Sequence, residues 1–224
     1  MSLSAIIVAG GSGQRFGLKK QFLDLKGIPV LKRAASGFIA HESVDQIVVV
    51  VPEEDLNLIH EMFSDADKKL VITKGGKTRQ QSVFNGLKIA RNSKSVLIHD
   101  GVRPFVTHSL ITRVIEGLTD ADGCIPALEV TDTLKEVHSG IIRKTIPRKN
   151  LYQVQTPQAF LTQELIEAHK KAFDTGTMDK TDDSALMESM GKTIKVVQGD
   201  LLNIKITFEN DLILAEAILT CHIA

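Results

Sequence analysis

Apolar residues recur along this chain with two periods. A short apolar strand beginning near Ser4 runs into a glycine-rich stretch. The continuous β-branched run Gln46–Val51 has the composition of a strand buried on both faces of a parallel sheet, and Pro52 stops it. Similar short runs lie at 70–73, at 95–98 leading into His99-Asp100, and at 123–128. Between them the spacing is helical. Pro29 stands near a first helical position, with Val30, Leu31, Ala34, Ala35 and Phe38 on one face. Further helices are predicted over 53–63, 80–91 and 109–118, and after the middle of the chain over 162–173 and 182–190. Strands follow at 193–197 and 203–206, then a closing helix over 209–220 with Leu212, Ala215, Glu216 and Leu219 at helical spacing. Strands alternating with helices predict one open α/β domain over 1–224, with a mostly parallel sheet and ligands beyond the strands' carboxyl ends.

The alternation breaks over 130–155. Two polar-alternating runs, up to Val137 and from Ile141 to Ile146, flank Gly140 and read as a β-hairpin. An isolated two-stranded ribbon is marginal in water, so a protruding arm packed on a second subunit is one reading. An ordinary loop excursion is the other.

Composition narrows the partners. At 224 residues and 43% hydrophobic the chain can bury a full core. Lysine plus arginine equals aspartate plus glutamate, 27 each, so no overall field draws nucleic acid or an acidic membrane, and any anion site is local. Two cysteines, Cys124 and Cys221, form neither a disulfide framework nor a C-x-x-C pair. With no leader pattern and no 18-residue apolar window, the expectation is a cytoplasmic protein that does not cross a membrane.

The candidate chemistry starts at Ala9-Gly10-Gly11-Ser-Gly13. Glycines let consecutive N–H groups approach an anion, and Arg15, Lys19 and Lys20 supply positive charge, as a triphosphate requires. A plain surface turn is the bland alternative. The dinucleotide fingerprint fails because the third glycine would fall on Phe16. Both Gly-Lys-Thr tripeptides fail as Walker loops because the earlier glycine is Val71 in one and Leu186 in the other. Strand ends converge in an open sheet, so later clusters are read together. Gly75-Gly76 with Ser82 suits a flat ligand, or merely a helix cap. Asp100 and Arg103 suit a divalent cation and an anion, or a structural ion pair. Thr131-Asp-Thr133, Arg148 and Thr156 offer phosphate donors around the hairpin. Thr181-Asp-Asp183 reads as a helix start capped by Thr181. Lys205, in an apolar segment, is expected to face solvent or an anion. The histidines lack zinc-ligand spacing.

Taken together, Ala9-Gly-Gly-Ser-Gly-Gln-Arg15, Lys20-Gln-Phe22, Gly75-Gly-x-x-Arg79-x-x-Ser-Val83, His99-Asp-x-x-Arg-Pro104, Thr131-Asp-Thr-Leu-Lys135, Val154-Gln-Thr-Pro-Gln-Ala-Phe160, Thr181-Asp-Asp183 and Asn203-Ile-Lys-Ile-Thr207 resemble the 2-C-methyl-D-erythritol 4-phosphate cytidylyltransferases over nearly the whole chain. The resemblance implies a Rossmann-like nucleotidyltransferase fold and a homodimer joined by an arm at 130–155. It also implies Mg2+-assisted transfer of CMP from CTP to a polyol phosphate in non-mevalonate isoprenoid synthesis. By motif, Arg15, Lys20 and Lys205 would be catalytic, and Ala9, Gly10, Gly11, Gly13, Gly76 and Ser82 would hold the nucleotide. Asp100 would sit near the metal and sugar, while Arg103, Thr133, Arg148, Thr156 and Thr181 would hold the second substrate, Arg148 from the partner subunit. Lys19 stands where the family usually has proline, the segment from Arg15 to Lys20 looks shorter than in many relatives, and Lys77 occupies an often acidic position. Val102 is shared with the ribitol 5-phosphate cytidylyltransferases, which are the nearest alternative. A nucleotide-binding regulator without chemistry is the alternative of another class.

Overall fold

The computed structural model describes residues 2–10, 19–66, 69–177 and 180–221. The β-branched and aliphatic runs form the centre of the sheet. β1 (Leu3–Val8) follows the N-terminus. β2 (Asp24–Leu25) and β3 (Ile28–Pro29) make a small hairpin, then come α1 (Val30–Ile39), β4 (Gln46–Val51), α2 (Leu56–Met62), β5 (Leu70–Lys74), α3 (Arg79–Ala90) and β6 (Ser95–Asp100). β1 lies parallel between β4 and β6, and β5 extends the sheet beyond β4. These strands carry apolar residues on successive positions because both faces are covered. Ala5, Ile7, Ile47, Val49 and Val51 pack against α1 and α2, while Ile6, Val8, Val48 and Val50 pack against Val83, Leu87 and Ala90 of α3.

α4 (His108–Gly117) and β7 (Gly123–Glu129) continue the pattern, with Thr107 capping α4 by accepting the Leu110 N–H. The hairpin follows as β8 (Leu134–His138) and β9 (Ile141–Ile146). These two strands pair with each other in a sheet of their own. Ser139 and Gly140 at its tip have φ of 50° and 78°, the left-handed conformation a two-residue hairpin turn requires. Positions 135–145 are exposed throughout. The chain then returns to the main sheet through β10 (Tyr152–Val154) and β11 (Gln158–Leu161), passes through α5 (Thr162–Asp174) and α6 (Ser184–Glu188), and adds β12 (Ile194–Gln198) beside β7. α7 (Glu209–Cys221) closes it. Helices α5 and α6 join α3 on one face, and α4 joins α1 and α2 on the other. Among the described residues, no helix is long and apolar enough to cross a membrane.

The structure differs from the sequence expectation in four places. β11 enters antiparallel between β6 and β7, and β10 runs antiparallel along β7, so the interrupted strand 152–161 replaces what pattern reading treats as linker. Its polar residues disguise it: Gln158 is fully buried, with its amide donating to Asp182. The predicted strand at 203–206 is not in the sheet. The Asn203 N–H bonds back to the Asp200 carbonyl and the Ile206 N–H to the Val102 carbonyl, so the segment joins no strand ladder. Its alternation arises because Ile206 and partly buried Ile204 join Leu25, Val30 and Ala215 in a small separate core, while the intervening Lys205 is left polar. The helix expected over 53–63 begins as a one-turn 3-10 helix, Glu53–Asp55, before α2. Finally, α6 starts at Ser184, and the side chain accepting its first free N–H, that of Ala185, belongs to Asp182 rather than Thr181.

Candidate active site at the strand ends

Two glycine turns meet beyond the ends of β1 and β5. The Ala9 N–H donates to the Val50 carbonyl at 2.8 Å and the Gly75 N–H to the Val51 carbonyl at 2.7 Å, so both turns hang from the end of β4. Between them lies the buried hydroxyl of Ser82. It accepts the Gly76 N–H at 3.0 Å and donates to the Thr78 carbonyl at 2.9 Å. A Cβ on Gly75 would lie 2.8 Å from this oxygen, and one on Gly10 3.2 Å, so side chains there would force the turns apart. Ser82, read from sequence as a ligand donor, therefore has its own proton engaged by backbone and shapes the Gly75-Gly76 turn. Gly11, Gly13 and Arg15 lie outside the described residues.

The β6 strand ends in His99 and Asp100, both buried. Three cations from separate segments meet the Asp100 carboxylate. Arg79 Nε, at the start of α3, lies 3.2 Å from Oδ1; Lys205 Nζ lies 2.8 Å from Oδ2; and Arg103 Nε lies 3.7 Å from Oδ2. Burial alone would raise the Asp100 pKa, but Arg79, Lys205 and Arg103 together overcome it and hold the group well below the usual carboxylate range. Lys205 is 45% exposed against 11% for Asp100, so this ammonium faces an anion on one side and solvent on the other.

Beneath the carboxylate, most of the polar groups bond to one another. His99 Nε2 lies 3.1 Å from the Arg103 carbonyl, which can only accept, so Nε2 carries the proton and Nδ1 is an acceptor. The Thr156 hydroxyl, 3.0 Å from Nδ1, must then donate to it while accepting the Asp100 N–H at 3.1 Å. Burial lowers the His99 pKa to about 4, which keeps the ring neutral. The Asn203 amide donates to the Thr156 carbonyl, and Arg103 donates to the Asn203 carbonyl, each at 2.8 Å. The interruption between β10 and β11 is thus what delivers Thr156 to the end of β6.

Arg79 also reaches further than the sequence reading foresaw. Its other arm meets Asp183 Oδ2 at 2.7 Å, and the other oxygen of Asp183 accepts from His169 Nε2 at 3.1 Å. Asp183 is buried, which alone would raise its pKa, yet Arg79 and His169 bring it below the ordinary value. Arg79, Asp183 and His169 were not assigned roles from sequence. The available signal was an arginine and a histidine at buried helix positions with a carboxylate elsewhere to match them, a pairing that spacing alone does not reveal.

Of the remaining expected site residues, Lys20 lies in a 3-10 turn, Lys20–Phe22, and its ammonium donates to the Thr207 carbonyl at 2.9 Å, two residues from Lys205. Thr133 and Thr181 are exposed. Arg148 donates to the Thr131 carbonyl of its own chain at the base of the hairpin. These three are not among the groups paired with Asp100. A cavity of about 480 Å3 lined by Lys77, Gln81, Phe84, Lys88 and Phe173 adjoins Gly76, but Asp100, Arg103 and Lys205 are not in its wall.

As a metal position, Asp100 fits only part of a coordination shell. Among the described residues, no three Asp, Glu, His or Cys side chains are grouped to hold an ion. Mg2+ commonly takes one or two carboxylates and completes its octahedron with water and substrate phosphates, so Asp100 would supply one ligand, with its oxygens already shared by Arg79, Arg103 and Lys205.

A sequence model of the family described as IspD, 2-C-methyl-D-erythritol 4-phosphate cytidylyltransferase, matches residues 3–221. The enzyme of that name from Geobacillus thermodenitrificans is 39% identical over 100% of both chains. The one from Geotalea uraniireducens is 40% identical over 98% of this chain and 97% of its own. The solved 4-diphosphocytidyl-2C-methyl-D-erythritol synthase of Anaerococcus prevotii superposes with a TM-score of 0.87 at 33% identity, covering 98% of this chain and 96% of that one. With likeness of sequence and fold over essentially its whole length, the chain belongs to the 2-C-methyl-D-erythritol 4-phosphate cytidylyltransferase family.

Proposed function

We infer that this chain transfers CMP from CTP to 2-C-methyl-D-erythritol 4-phosphate, releasing pyrophosphate, in the non-mevalonate isoprenoid pathway. Family membership supports the reaction. The observation that carries the site is that Lys205 pairs with Asp100 at the end of β6 while Lys20 donates to the Thr207 carbonyl, two residues along the same segment.

The chemistry suits that arrangement. A phosphate oxygen of the polyol phosphate attacks the α-phosphorus of CTP while the bond to pyrophosphate breaks in line. The nucleophile is already an anion, so no strong base is needed, and the task is to place two highly charged groups together and offset their charge. Lys20 and Lys205, with Arg15 by motif, neutralise the α-phosphate. Gly10, Gly11, Gly13 and Gly76 bring backbone close to the nucleotide. Asp100 holds Lys205 in place and is the residue that would bind Mg2+ together with the triphosphate; the ion supplies further charge neutralisation. Thr133, Arg148 and Thr181 hold the second substrate, while buried Thr156 and Arg103 orient the floor beneath it.

We further propose a cytoplasmic homodimer joined through the hairpin. Val137, Ile141 and Ile142 are 54%, 63% and 60% exposed on a ribbon that pairs with no other strand, and a two-stranded ribbon is marginal unless it packs on something. In that dimer Arg148 serves the partner's site.

The test is pyrophosphate release with Mg2+ and CTP. Turnover is expected with methylerythritol phosphate and not with ribitol 5-phosphate. Turnover with ribitol 5-phosphate alone overturns the substrate, and CTP binding without turnover on any polyol phosphate overturns the enzyme.

A further inference from the structure

One described end of the glycine loop is fastened to β4 and the other to the turn that follows it. At the entrance, the Ala9 N–H is bound to the Val50 carbonyl. At the exit, Lys19 Nζ lies 2.6 Å from Asp55 Oδ1 and 3.3 Å from Glu54 Oε1. Asp55 closes the 3-10 turn after β4, and its side chain is only 9% exposed, so its charge is largely withdrawn from water. The hydrogen bond that Lys19 donates to Asp55 in turn raises the Lys19 pKa, so the ammonium stays charged. Lys19 is also the first residue of the Lys20 turn: its carbonyl accepts the Phe22 N–H at 3.0 Å. One residue on, the Lys20 ammonium crosses to the Thr207 carbonyl beside Lys205.

We propose that the Lys19–Asp55 ion pair is a positioning device for Lys20, pinning the base of its turn to the end of β4 so that the Lys20 ammonium is presented beside Lys205. Lys19 acts through Lys20 and contacts no reacting group. The inference rests on the reading of Lys20 as a cation of the reaction. An ordinary surface pair would leave catalysis untouched, since exposed pairs are screened by water and hold their partners only loosely. Asp55 separates the cases, because a largely buried carboxylate restricts where its partner can sit.

Steady-state kinetics on the full chain test it. Lys19→Ala is expected to lower kcat about tenfold, with KM for CTP changed less than about twofold, because misplacing a charge affects the transition state most. Lys19→Arg, which keeps the pair, should restore most of kcat. Asp55→Asn should resemble Lys19→Ala, and the double variant should be no slower than either single one, as coupled residues behave. Wild-type kcat in Lys19→Ala, failure of arginine to rescue, or additive losses each sinks the device. Lys20→Ala is the control for the underlying reading. If Lys20→Ala loses activity while Lys19→Ala keeps it, only the pin fails; if Lys20→Ala is fully active, the role of Lys20 fails and the pin with it.

Discussion

The pair between Lys144 and Glu136 in the hairpin and the pair between Lys205 and Asp100 at the end of β6 have similar lengths, 3.1 Å and 2.8 Å. Their settings are opposite. Lys144 and Glu136 are 63% and 52% exposed and face each other across a ribbon whose strands meet no other. Asp100 is shared by cations from α3, from the turn after β6 and from the segment after β12, over a floor of His99, Thr156 and Asn203. The first pair is screened and replaceable by water. The second is one edge of a network centred on a buried carboxylate, whose charge has been largely taken from water and must be satisfied by its neighbours. Equal distances therefore carry unequal weight.

The largest expected effect comes from cutting that network at Arg79. Arg79→Met leaves Asp100 with fewer cations and Asp183, 1% exposed, with only His169. Removing one partner of a buried pair costs about 3–5 kcal/mol. Urea unfolding should show a loss of that size, and a loss below about 1 kcal/mol would place this network on a par with the hairpin pair.

A smaller effect belongs to the neutral His99 beneath it. Its folded-state pKa of about 4 is below the ordinary histidine value, so in the unfolded chain it takes up a proton first as pH falls. The stability it contributes is fully present above about pH 6.5 and lost as pH falls to about 4, amounting to about 3 kcal/mol. Urea midpoints taken from pH 7 to 4.5 should slope downward less in His99→Gln than in the wild type. His41, whose pKa burial also lowers, contributes with the same sign and accounts for part of the residual slope. Equal slopes in the two proteins would show that His99 titrates no differently when folded.

The smallest effect on the fold is expected in the hairpin. Ile141→Ser with Ile142→Ser should change the unfolding free energy of the isolated subunit by no more than about 0.5 kcal/mol, as exposed positions do. Sedimentation of the same variant sharpens the contrast, since loss of the dimer is expected if these side chains meet a second copy. A dimer as tight as the wild type would remove the hairpin from the interface.

Much of the fold was legible before any coordinates. The limits of β4 and the buried face of α1 follow from a β-branched run and a 3.6-residue period, because local pattern suffices where an element buries apolar residues in a regular way. The hairpin turn was legible for a related reason: the left-handed conformation at Ser139 and Gly140 is a local demand. The strand at Gln158–Leu161 escapes pattern reading and the segment 203–206 is misread as a strand because their apolar and polar positions answer to distant neighbours. A buried glutamine begins a central strand, and an alternating segment packs on α7 instead of pairing.

The same division runs through the site. From sequence alone came the order of strands and helices in the first half of the chain, the gathering of Asp100, Arg103 and Lys205, and the likeness to a family. Only the tertiary structure decided that Asp100 is shared among three cations, that Ser82 holds a turn, that Thr156 donates to His99, and that Arg79 joins two carboxylates 83 positions apart in sequence. The physical reason is that periodicity reports which face of an element meets the core, whereas the partner of a buried charge is chosen by whatever the fold brings within hydrogen-bonding distance.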